Sequence, residues 1–111
     1  MIAHIVLLQP RADLSAADRQ QAVAALERAA GDVPEIRRFR LGRRVKHGLP
    51  GYEQLMPHDF EFALIIEVDD VAALTRYLQA PAHAALGDLF YSATSAALAY
   101  DYALDEIVSS T

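Results

Sequence analysis

The sequence predicts an α+β domain with four strands and helices in the order β-α-β-β-α-β. The strands form one antiparallel sheet, and the helices lie together on one of its faces. Three observations predict this. Short apolar segments with period-two alternation recur along the chain, as half-buried strands require. Two stretches with helical spacing separate them, each opened by a recognisable cap. A long Gly- and Pro-containing connection falls between the two middle strands.

The first strand is Ile2 to Leu8, which is β-branched, too short for a helix and followed by Pro10. Alternation puts Ile2, His4, Val6 and Leu8 on one face and Ala3, Ile5 and Leu7 on the other. Both faces are apolar, so both require a cover. His4 is then a polar group among aliphatics, either a core histidine satisfied by one hydrogen bond or the wall of a pocket. Ser15 followed by Asp18 has the form of a capping box and opens a helix to Ala30, with Gly31 placed to end it. Its expected apolar stripe is Ala22, Val23, Leu26 and Ala29/Ala30.

The second strand is expected over Ile36 to Val45, with a bulge or close backbone approach at Gly42. Six of the chain's ten Lys and Arg residues gather here. They read either as an anion-binding edge or as a solvated edge strand whose charges prevent aggregation. His47 to Asp59 forms the long connection, a flap over a site in many small domains, with Tyr52 and His58 as residues that could line one. Phe60 to Val68 is the third strand, central or nearly so. Asp69-Asp70 caps a helix over Val71 to Leu78, whose buried side is Leu74, Tyr77 and Leu78.

Pro81 breaks that helix, because it lacks an N–H and disfavours helical geometry at Ala80. A further helical stretch from Ala82 to about Ser92 turns Leu86, Leu89 and Phe90 inward and places His83 in its first turn. The positive end of a helix favours a neutral imidazole there. Ala97 to Leu104 alternates as the last strand, and the residues after Ile107 read as a frayed end.

This order is the split βαβ, ferredoxin-like arrangement. Helices on one face leave the other bare, and an apolar sheet face of that size is unstable in water. A homodimer with two sheets packed face to face follows.

Composition narrows the function classes. At 111 residues the chain fits one domain spanning residues 1–111, and 53% apolar with 23% charged residues describes a folded chain. A net charge of −5 argues against nucleic acid as the main partner. No cysteine is present for thiol chemistry, a disulfide framework or a cysteine zinc site. The four histidines His4, His47, His58 and His83 show no metal-ligand spacing, so no metal is expected. The start lacks the form of a signal peptide and no apolar run would span a membrane, so a cytoplasmic location is expected.

Several segments together resemble the stress-responsive A/B barrel (Dabb) family, from Met1 to about Tyr102. They are Met1 to Leu7, Pro34-Glu35-Ile36 running to Gly42, Glu67-Val68-Asp69-Asp70, Tyr77-Leu78-Gln79-Ala80-Pro81-Ala82-His83, and Tyr100-Asp101-Tyr102. The resemblance implies a dimeric α+β barrel. Most of the family has no assigned reaction, but one branch resembles plant polyketide cyclases that close a chain by aldol condensation without a cofactor. By that resemblance His83 is the general base, Tyr77 the phenol beside it and His4 a second donor. The cyclase carries a further tyrosine where this chain has Leu26, and the family's usual histidine before Pro-Ala-His is Ala80 here. That leaves less to polarise a substrate carbonyl.

Two function classes follow. The first is a non-catalytic homodimer that binds a small hydrophobic or aromatic ligand between helices and sheet, with Leu26, Tyr52, His58 and Phe90 as lining residues. The second is an enzyme without cofactors, cyclase-like or related to the similarly folded antibiotic-biosynthesis monooxygenases. Between them stands a plainer role for His83 and Tyr77, hydrogen-bonded to one another and fixing the helix break.

Overall fold

A computed structural model describes residues 1–107. Strands β1 (Ile2–Pro10), β2 (Ile36–Arg43), β3 (Phe62–Val68) and β4 (Thr94–Ala103) form one antiparallel sheet in the order β2-β3-β1-β4. Helices α1 (Ala16–Asp32), α2 (Val71–Gln79) and α3 (Pro81–Ala93) complete the ferredoxin-like order, its second helical segment divided in two. The expected frayed end beyond Ile107 lies outside the described residues.

β1 and β3 are central because both carry apolar side chains on both faces. Ile2, Val6 and Leu8 meet Val68, Leu64 and Phe62 across the sheet and pack under the helices with Ala73, Leu74 and Tyr77. Leu64, Ile66 and Val68 are each at most 1% exposed, a degree of burial that contributes roughly 1.5–3 kcal/mol per side chain.

The caps act as read. Ser15 accepts from the Asp18 N–H while Asp18 accepts from the Ser15 N–H, and Asp70 accepts from the Ala73 N–H. The end of α1 differs from expectation. Gly31 is not in the left-handed conformation that stops a helix, and α1 continues to Asp32. Buried Val33, held extended before Pro34, terminates it instead. The buried stripe is also rotated: Ala25 and Ala29 are buried, whereas Val23 and Ala30 are exposed.

β2 ends two residues early and is an edge strand. Its bulge lies between Ile36 and Arg38, not at Gly42, which pairs regularly with Ala63. The extra residue, Arg37, turns aside to grip Asp69 with two hydrogen bonds of 3.0 and 2.7 Å. Arg40 reaches Glu67 at 3.2 Å, so much of the basic edge is occupied by the protein's own carboxylates.

The opposite sheet face carries no helix. Its rows run Arg40, Ile65, Ile5, Tyr100 and Gly42, Ala63, Leu7, Leu98. Tyr100 and Tyr102 are both about half exposed there.

Candidate functional site

A helix continuing from Tyr77 through His83 would carry the two side chains to different sides, since six residues turn it about 240° past a full revolution. Pro81 prevents this. Ala80 takes an extended conformation, ending α2 and opening α3 with proline in its first turn. The ring of His83 then folds back to 5.0 Å from Tyr77 between centroids. β1 supplies the third ring from below. His4 lies edge-on at 5.7 Å from Tyr77 and 6.1 Å from His83. Across the strand pair His4 faces Asp101 of β4, and Nδ1 lies 2.5 Å from its Oδ1.

These rings form the polar end of a cavity of about 340 Å³, within the range of small-molecule sites. Val6, Leu64, Ile66, Leu86 and Phe90 supply its apolar walls. Small residues leave the room: β4 presents Ala97 and Ala99 on this side, and α3 contributes Gly87.

Burial sets the protonation states. It pushes the Tyr77 phenol up to about 12, which keeps the hydroxyl protonated as a donor. It also lowers His83 below its ordinary 6.5, and nearby His4 adds to that only when its ring is protonated. The Leu78 backbone and Asp101 oppose that shift. The shift favours a neutral His83, and burial leads it rather than the helix end invoked from the sequence.

The three residues singled out as chemical, His4, Tyr77 and His83, thus meet in one place. The lining residues do not all join them. Phe90 borders the cavity, and it also borders a second, smaller cleft of about 130 Å³ where Leu26 lies with Val23 and Leu41. Tyr52 and His58 line neither space. Their connection folds on itself, with Glu53 accepting from the Gly48 N–H and lying 3.4 Å from His47, while Lys46 pairs with Asp59. Tyr52 packs edge-on against His47 and His58 against Phe60. Among the described residues no group of three or more His, Asp and Glu gathers as a metal-binding set.

Sequence reading passed over Asp101 as a site residue. The sequence marks it only as the one charged residue of β4, alternating with Tyr100 and Tyr102; its place opposite His4 comes from the strand register.

A family model described as the stress responsive A/B barrel domain matches residues 2–104. The chain belongs to this family. Among solved structures, the Dabb chain is similar to the hydroxynitrile lyase from Passiflora edulis, at 18% identity and a TM-score of 0.80, covering 97% of this chain and 96% of that one. It is also similar to a dimeric ferredoxin-like protein of unknown function from Thermobifida fusca, at 20% identity and 0.71, covering 93% and 90%. A Dabb family protein with a ferredoxin-like fold from Mesorhizobium loti gives 20% and 0.71, covering 93% and 95%. At these identities the likeness speaks for the fold. No curated protein matches the chain. Among the described residues, no helix is long and apolar enough to cross a membrane.

Proposed function

We propose that this Dabb protein is a homodimer in which each cavity binds a small hydrophobic or aromatic molecule, with His83 placed to act on it as a general base. One observation carries the reading. Rings from three separate elements converge at the polar end of a cavity that is otherwise apolar. The dimer rests on the bare sheet face and on the dimeric state of the Thermobifida neighbour.

Proton abstraction next to a carbonyl needs a base that is free at working pH and a donor for the enolate oxygen that develops. A neutral His83 supplies the first and the protonated phenol of Tyr77 the second. Side chains alone meet both needs, so the reading invokes no cofactor. Cleaving a hydroxynitrile also calls for a base, acting on the hydroxyl proton, so the Passiflora lyase is compatible with the same arrangement.

A panel of small aromatic ketones, screened by ligand-observed NMR, tests the reading. Binders are expected with the wild type and lost with His83→Ala, at an unchanged melting temperature. An empty screen would remove the ligand site. A melting temperature many degrees lower in His83→Ala would make the imidazole a structural strut instead.

A further inference from the structure

Asp101 has no role in the chemistry above, yet it makes the shortest contact in the site. It sits on the edge strand with its side chain 39% exposed, while the His4 side chain is only 7% exposed. The two are directly opposite in the β1–β4 register, 97 residues apart in sequence. We propose that Asp101 is a positioning residue: it fixes His4 with the proton on Nδ1 and leaves Nε2 as the ring atom that meets the polar end of a ligand.

A carboxylate oxygen can only accept, so at 2.5 Å the proton of this bond belongs to Nδ1. The opposite tautomer would set a nitrogen lone pair against the carboxylate. Second partners of this kind fix both the orientation of a histidine and which nitrogen is free. The ring also meets Tyr77 from α2 and His83 from α3, and its partner on β3 is the apolar Ile66. Among the described residues Asp101 is the hydrogen-bond and ion-pair partner seen for the ring.

The consequence is chemical. A neutral His4 held this way accepts at Nε2, so the site favours a molecule carrying a hydroxyl or enol O–H at its polar end. If that proton transfers, the ligand O–H bond breaks, an Nε2–H bond forms, and Asp101 stays a carboxylate beside the imidazolium. Among the described residues the close carboxylate contact belongs to His4, and Asp101 acts on His83 only through its charge, so the two histidines are not equivalent.

This deepens the cavity reading and rests on it for the presence of a ligand, but its test needs only the free protein. Long-range ¹H–¹⁵N correlation spectra report which ring nitrogen carries the proton. Wild type is expected to show His4 protonated at Nδ1. Asp101→Asn, whose amide oxygen still accepts, should keep that signature, and Asp101→Ala should populate the Nε2–H form with backbone amide shifts otherwise retained. A neutral Nε2–H form of His4 in wild type would overturn the proposal, as would an Asp101→Ala spectrum with the Nδ1–H signature intact. A locked tautomer alongside an empty ligand screen would remove the cavity reading and leave Asp101 in its role.

Discussion

His83 and Tyr77 are shifted by the same burial, with opposite consequences for experiment. His83 lies below its ordinary 6.5 in the fold, so between its folded value and about 6.5 the unfolded chain binds a proton that the folded chain refuses. Stability then rises with pH across that window. The contribution is complete above about 6.5 and lost as pH falls through the folded value. Chemical denaturation at a series of pH values should show wild type losing stability relative to His83→Gln as pH falls below about 6.5, and parallel curves would contradict it. Asp59 and Asp69 sit below the carboxylate range beside Lys46 and Arg37, so their losses come at lower pH. Tyr77 separates packing from chemistry. At 1% exposed, its truncation to alanine should cost about 3–5 kcal/mol, whereas Tyr77→Phe keeps the volume and should cost under about 1.5. If Phe destabilises as much as Ala in a denaturant melt, the phenol is structural and the donor role fails.

Tyr77 and His83 face one another only because α2 stops at Ala80 and α3 begins anew. Proline pre-sets the backbone of the first turn and restricts the unfolded chain, so Pro81→Ala should lose about 0.4–1 kcal/mol. Ligand affinity should fall by more than stability, because the substitution frees the hinge that sets the spacing of the two rings. Equal affinity in the variant would show that packing alone holds the angle. This break was legible in the sequence because its cause spans two residues, and the caps at Ser15 and Asp70 were legible for the same reason. The end of α1 was not, since Gly31 carries the right residue type while distant packing of Val33 decides where the helix stops. The three ring residues could be named in advance, but the room beside them could not. Ala97, Ala99 and Gly87 look unremarkable in the chain and become a cavity only when β4 and α3 are set side by side. Asp101 depends on register in the same way, for nothing local says that it opposes His4.

At the scale of the whole molecule, β4 joins the bare sheet face to the cavity. On one side it turns Ala97, Ala99 and Asp101 toward the helices, and on the other Leu98, Tyr100 and Tyr102 toward the uncovered face. It is an edge strand paired only with β1, so little within one subunit protects it. A second sheet against Tyr100 and Leu98 would bury their apolar surface and steady the strand. Placing a charge there tests the dimer and its link to the site together. Wild type should sediment at twice the chain mass at micromolar concentration, and Tyr100→Glu at the single mass with its helical circular dichroism kept. In that variant, hydrogen exchange should quicken along β4 first, and with it the Nδ1–H signature of His4 should weaken as Asp101 moves away. A wild type of single mass would remove the dimer. A single-mass variant with β4 as protected as before would show that the site stands without a partner.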